Sequence, residues 1–468
     1  MRRMKRIVLL GCLALVACGQ TMNTDGGIGG GRGGGTGGGG GTLAPFSIFE
    51  LDPTARDATY FAMALDPVQE RIGVAYFTPV GTTTEFNGAS FDAGVERAPD
   101  FHLKYVEWKQ GALVGPPETL RIMQRKAGVA IAFDPSSGEP VVAFLGGANG
   151  FVQGQSIFWF QSDAVLSRRN AGTWTETTIA TTGDQVTCGN PVSDRGLLVG
   201  LWPALAFDAA GKLYFGYRDG HDGQFPMQDW AGSDVEVWDG MQTPSTGRCV
   251  AAGGNNKKAY GGHLQMVIGA NDQPAVIHDQ MFGTSDSNGI NVNFQKRNAD
   301  GSWTVPGGAL LNISNTQTGA SLAWDPVEGY GIAVTDNATN QLSYINSANG
   351  VNWSAVDPVF GSGSGGWFPS LAMDPINHEP AIAFYFCSPR SAVAQTGCTT
   401  TEDELRIIQR VADHWQEKVV DTGGGHSPKI GFLSTGKRIV VYRTPPAIDP
   451  ETGLPVTNVG ALKLAVER

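Results

Sequence analysis

The residues best suited to chemistry in this 468-residue chain stand in a few short runs. Arg218 and Asp219 are adjacent, with His221 and Asp222 close behind; His278-Asp279, Asp336, Arg390 and Arg443 follow later. Guanidinium groups grip carboxylates and phosphates through paired N–H donors, and acids or histidines beside them can move protons. Trp230 and Trp367 stand in loop-like sequence, and their flat rings suit stacking on a sugar. Asp219-Gly-His-Asp222 and Ser285-Asp-Ser-Asn288 offer oxygens to a calcium ion. Neither follows the EF-hand spacing, so both are read as polar turns. No CxxC pair or His/Cys cluster has zinc spacing, and no cofactor is expected. His278 falls in a column filled elsewhere by Tyr76, Phe144, Tyr217, Phe384 and Tyr442, which marks it as a packed histidine.

These residues hang on a phrase that recurs seven times: a small residue, a bulky apolar residue, usually Asp, a turn, and a run ending in an aromatic. The copies begin at Ala64-Leu65, Ala132-Phe133, Ala206-Phe207, Val267-Ile268, Ala323-Trp324, Ala372-Met373 and Gly431-Phe432. Copy six shows the whole unit, with Phe368–Asp374, Ala381–Tyr385, Glu404–Arg410 and Trp415–Asp421 as four short runs rich in β-branched and aromatic residues. Asp at the first turn caps it through its side chain, and a following Pro pre-sets the backbone. Four-stranded units in series predict an all-β, seven-bladed β-propeller. The small residues belong at the crowded axis and their bulky neighbours between blades, since alternate residues of a strand face opposite ways.

The ends of the chain decide how the ring closes. The seventh copy supplies only Ser427–Phe432, Arg438–Arg443 and Ala461–Glu467, while Pro45–Leu51 reads as a strand with no blade of its own. Leu51-Asp52 precedes copy one as Val420-Asp421 precedes copy seven. The N-terminal strand is therefore expected to complete the last blade, leaving no long unpaired edge. The long connections at 78–100, 181–201, 219–233, 281–289, 386–403 and 444–460 share one face, where binding residues are expected.

Residues 1–18 carry Arg2, Arg3, Lys5 and Arg6 before the apolar run Ile7–Val16, a segment too short to span a bilayer as a mature helix. Its end, Leu15-Val16-Ala17-Cys18, resembles the lipobox of bacterial lipoproteins. The resemblance implies lipid attachment at Cys18 and, with Gly19 next, an outer-membrane lipoprotein on the periplasmic or cell-surface side. Residues 19–41 are a glycine-rich linker, which cannot bury enough apolar area to fold and so acts as a flexible tether before the body at 42–468. Losing the four basic residues of the leader takes the formal net charge from −11 to −15. So acidic a body argues against nucleic acid or anionic lipid headgroups as partners. A monomer is expected. Cys188, Cys249, Cys387 and Cys398 remain in the body, and an even number in an oxidising compartment points to two disulfides. Cys387–Cys398 brackets one short segment; Cys188–Cys249 follows by elimination.

The strand-turn-strand-Trp phrase also resembles the sialidase-like, BNR-repeat propellers over most of 42–468. Two departures stand out. Asp300-Gly-Ser-Trp303 sets the Asp too near the Trp for that family's Asp-box, and Ser347–Trp353 lacks a residue and has Asn for Asp. The resemblance implies an arginine triad for a carboxylate, for which Arg218, Arg390 and Arg443 are the candidates; no matching Tyr–Glu nucleophile pair is found. Two functions follow from different classes. The leading one is a surface lipoprotein whose propeller face binds a protein or glycan. The alternative is a glycan-active hydrolase or lyase working in the central funnel.

Overall fold

The computed structural model describes residues 45–468 except 54, 56–59, 80–100, 124–127, 148–150, 154–155, 159–161, 182–187, 189–198, 220–232, 241–247, 253–259, 281–289, 305–309, 314–318, 337–338, 340, 361–365, 387–403, 423 and 445–460. The chain divides into Met1–Leu43 and Ala44–Arg468, and every described residue belongs to the second unit. The lipobox Cys18 and the glycine linker thus lie outside the described residues, as do His221, Asp222, Trp230, Arg390, Cys387 and Cys398.

Seven antiparallel sheets follow one another along the chain. Blade 1 is Phe61–Asp66, Arg71–Pro79, Phe101–Lys109 and Glu118–Met123; blade 2 is Val129–Phe133, Pro140–Gly147, Ser162–Asn170 and Thr173–Ala180. Blade 3 is Val199–Phe207, Leu213–Asp219, Asp234–Trp238 and Cys249–Ala251; blade 4 is Gly262–Ile268, Pro274–Gln280, Ile290–Lys296 and Leu311–Ile313. Blade 5 is Ala320–Asp325, Gly329–Asp336, Gln341–Ser347 and Asp357–Phe360; blade 6 is Trp367–Met373, Pro380–Phe386, Glu404–Val411 and His414–Thr422. Blade 7 has His426–Phe432, Arg438–Arg443 and Leu462–Glu467, and Phe46–Asp52 pairs with its third strand from Phe46↔Glu467 to Asp52↔Leu462. The fourth copy of the phrase, which has Gly269 where most copies have Asp, still builds a four-stranded blade. One feature was not foreseen: Phe151–Gln153 pairs with Ser156–Phe158 as a small extra hairpin between the second and third strands of blade 2.

The first strand of each blade is innermost, and neighbouring first strands pack on one another around the ring. A Cβ on Gly431 of blade 7 would meet Leu65 and Met63 of blade 1, so the circle is complete. The turn aspartates behave as their position predicts: Asp66, Asp325 and Asp374 each accept two backbone N–H groups of their own hairpin. The outer-strand tryptophans bind blade to blade. Trp174 packs edge-on to Tyr105 and donates to Glu118 at 2.7 Å, and Trp415 does the same with Tyr344 and Asp357 at 2.9 Å. Cys188 and Cys249 are disulfide-bonded, tying the approach to blade 3 to its outermost strand.

Candidate functional site at the ring mouth

Five of the six long connections join a second strand to a third, and 181–201 joins blade 2 to blade 3, so the ends of the second strands and the beginnings of the innermost strands share their face. Four innermost strands begin irregularly. In blades 3, 4, 6 and 7 the pairing of the first strand with the second slips, at Val199–Ala204, Gly262–Gln265, Trp367–Ser370 and His426–Lys429. Each slip follows a glycine at positive φ, namely Gly200, Gly261, Gly366 and Gly425. Gly200, Gly366 and Gly425 press on the third strand of the preceding blade, where a Cβ would fall 2.8 Å from Ala164 Cα at Gly200 and 2.6 Å from Leu405 Cα at Gly425, and Gly261 presses first on Arg218 of the second strand. Two residues on, a side-chain-bearing residue takes the left-handed conformation: Trp202 (φ 44°), His263 (φ 45°), Phe368 (φ 56°) and Ser427 (φ 53°). Such conformations cost roughly 1–3 kcal/mol each and persist where the surroundings impose them. All four residues remain partly exposed.

Beneath these bulges the second strands present one residue per blade at equivalent register: Phe77, Leu145, Arg218, Asp279, Thr335, Tyr385 and Arg443. This buried layer beneath the mouth is apolar on blades 1 and 2 and carries polar groups on blades 3 to 7.

Two clusters result. At blades 3 and 4, Arg218 is fully buried, donates to Ser233 Oγ, and lies with its guanidinium carbon 5.2 Å from the centre of the Trp202 ring. Burial lowers its pKa to about 9, against the neighbouring Asp219, which raises it. His263 contacts Asp279 Oδ2 through Nδ1 at 2.6 Å, and its ring lies 6.0 Å from that of Trp202. His278 is packed inside the blade, bonded to Gln295 Oε1 at 3.0 Å and edge-on to Tyr260, and burial pulls its pKa down to about 4. At blades 6 and 7, Arg443 Nε donates to His426 Nδ1 at 3.1 Å. His426 stacks on Phe368 at 4.2 Å and lies 5.2 Å from Tyr385; burial first, then Arg443, holds its pKa well below the ordinary histidine value.

Arg218, Asp219 and Asp279 are thus brought together, whereas Arg443 stands in a separate cluster with blade 5 between. Trp367 needs correction. It is the first residue of the innermost strand of blade 6, not a loop residue, and it is wholly buried beside Tyr385, so its ring is closed to a sugar. The residues the sequence reading passed over are Trp202, His263, Phe368 and Ser427. For three of them the signal was a glycine three places before a proline, in Gly200–Pro203, Gly366–Pro369 and Gly425–Pro428; His263 has none. Among the described residues no group of three or more His, Cys, Asp or Glu is arranged to hold a metal.

No family model and no curated protein matches the chain. Solved structures do resemble it. A protein of unknown function from Dyadobacter fermentans superposes with a TM-score of 0.47 at 12% identity, over 91% of this chain and 99% of the other. An α-L-arabinofuranosidase from Fusarium graminearum gives 0.43 at 11% identity, over 74% and 92%. The NanB sialidase of Streptococcus pneumoniae gives 0.40 at 11% identity, over 90% and 70%. At these identities and scores the likeness carries no activity across; the seven blades stand on the strand pairing itself.

Proposed function

We propose that this protein is a non-catalytic, glycan-binding lipoprotein held at the outer membrane through Cys18, with the ring mouth as its binding surface. The observation that carries the reading is the set of bulged entries, which hold Trp202, His263, Phe368 and Ser427 partly exposed in a costly backbone conformation. Trp202 offers a flat apolar face, and the adjacent His263–Asp279 pair offers polar atoms to sugar hydroxyls. The hydrolase reading has less support. Arg218 is wholly buried under Trp202 and Arg443 is turned onto His426, so neither has the open guanidinium that would grip a substrate carboxylate.

A glycan array followed by titration of the hits tests the site. Trp202→Ala is expected to weaken binding about tenfold, the equivalent of about 1.4 kcal/mol, with the ring still folded by circular dichroism. Unchanged affinity would remove the mouth from consideration, and turnover of any glycoside that survives Arg443→Ala would revive an enzymatic role without the sialidase mechanism. For the anchor, globomycin should cause the precursor to accumulate, and Cys18→Ala should release soluble protein.

A further inference from the structure

Lys429 is the only lysine or arginine on the seven innermost strands. It occupies the ring level held elsewhere by Ala62, Ala130, Ala204, Gln265, Ser321 and Ser370, as the matched pairings with the second strands show. Three of those side chains clasp the following blade. Gln265 Oε1 accepts from Leu322 N at 3.0 Å, Ser321 Oγ from Leu371 N at 2.9 Å and Ser370 Oγ from Ile430 N at 3.1 Å. Lys429 is next in the series and faces blade 1, but an ammonium has no lone pair with which to accept an N–H. The innermost strands of blades 7 and 1 also pack least extensively of all seven neighbouring pairs. The ring therefore closes on a seam, with a cation beside it.

That cation forms no ion pair or hydrogen bond with any described residue, yet Lys429 as a residue keeps partial exposure. Enclosure by protein lowers its pKa from the ordinary lysine value, with no nearby charge contributing. A lysine desolvated without a counter-ion gains more from an incoming anion than a lysine in water does. Lys429 lies two residues along the strand from Ser427, about 7 Å below the mouth. The surrounding protein is acidic, at a formal −11, which makes an unopposed positive charge on the axis unusual.

We propose that Lys429 is an anion-binding position on the axis, and that it selects glycans bearing a carboxylate or sulfate ester over neutral ones. The selection of glycans rests on the mouth being a sugar site; the anion site does not. The test is trace acetylation of the folded protein, with Lys429 followed by peptide mass spectrometry against Lys418 and Lys463. Glucuronate and glucose 6-sulfate are expected to slow labelling of Lys429 at least fivefold relative to those controls, and glucose to leave it unchanged. The two anions compared with each other distinguish carboxylate from sulfate. Affinity for the charged sugar should fall as pH rises, by up to tenfold per unit, because the bound form holds a proton more tightly; affinity for the neutral sugar should not. In Lys429→Met the preference for charged sugars should vanish while neutral sugars still quench Trp202. No labelling of Lys429 in the free protein, or labelling that neither anion slows, would overturn the proposal and leave glycan binding standing. Protection by both anions with no dependence on Trp202 would instead retain the anion site and refute the sugar site.

Discussion

Ring closure can be tested with a single hydroxyl group, because the molecule contains its own control. Where the N-terminal strand completes blade 7, Tyr76 of blade 1 donates to Asp52 Oδ2 at 2.5 Å, and Lys104 reaches the same oxygen at 3.5 Å. At the ordinary junction between blades 6 and 7, Tyr442 donates to Asp421 Oδ2 at 2.5 Å, and Lys463 reaches that oxygen at 3.3 Å. Both tyrosines are fully buried, and burial reinforced by the aspartate raises both pKa values. The two bonds span similar stretches of chain, 24 and 21 residues, but the strand that carries Asp52 pairs with the last strand of the chain, Leu462–Glu467, whereas the strand that carries Asp421 pairs with its own neighbour in sequence, Glu404–Val411. Tyr→Phe removes a hydrogen bond to a charged acceptor, worth about 1.5–3 kcal/mol. At about 2.1 cal/mol/K per residue over a body of roughly 420 residues, about 2 kcal/mol lowers Tm by only about 2 °C. Chemical denaturation is the better assay, read as the shift in midpoint with the slope held constant. Tyr76→Phe and Tyr442→Phe are expected to shift the urea midpoint by similar amounts. A clear loss in Tyr442→Phe with none in Tyr76→Phe would mean that the N-terminal strand is not seated in solution, and the closure described above would be wrong.

Two further predictions concern acid stability and the bulges. His278 has a folded pKa of about 4 against an ordinary 6.5, so as pH falls the unfolded chain takes up a proton first. Its contribution is complete above about pH 6.5 and lost towards pH 4, up to about 3 kcal/mol; His278→Phe should flatten that limb of the stability curve, and an unaltered acid slope would contradict the argument. Gly425→Ala places a methyl 2.6 Å from the Leu405 backbone at φ 113°, whereas Gly111→Ala at φ 95° meets nothing within 4 Å. The first should abolish soluble expression or cost more than about 3 kcal/mol, and the second about 1 kcal/mol of backbone strain; equal unfolding midpoints would show that the entry to blade 7 relaxes.

The scaffold was legible because its signals repeat. Ala, Gly or Val at the axis recurs at each blade and Asp at the first turn at five of the seven, so a weak cue read repeatedly becomes a strong one. Closure was legible for a similar reason: Leu51-Asp52 and Val420-Asp421 match in sequence because Asp52 and Asp421 receive equivalent tyrosines. The mouth was harder. Trp367 follows a stretch rich in Gly and Ser, which reads as a loop, yet Gly366 at φ 98° begins a strand there. No propensity scale anticipates Trp202 or Phe368 in the left-handed region, since bulky residues are excluded from it unless packing compels them. Lys429 escaped notice because the axial column was matched at Gly431, two residues further along, where the seventh copy follows the rule. Only the bonds from Gln265, Ser321 and Ser370 reveal that a second level of the ring has a function of its own.

A ring of seven similar blades has no structural need for asymmetry, yet this one is uneven. Blades 1 and 2 fill the mouth position with Phe77 and Leu145 and enter without a slip in pairing. Blades 3, 4, 6 and 7 carry four residues in left-handed conformations, together costing several kcal/mol. The same side of the ring buries Arg218, whose desolvation lowers its pKa by more than Asp219 restores. Packing alone would favour the cheaper arrangement of blades 1 and 2, which the same fold accommodates. Blade 1 buries a charged pair of its own, Arg71 with Glu107, but the four bulged entries are confined to the mouth face, and costs placed there are what a binding site imposes on its scaffold. The arc from blade 3 round to the seam at Lys429 is accordingly where a ligand should make its contacts, while Phe77 and Leu145 are closed off inside blades 1 and 2.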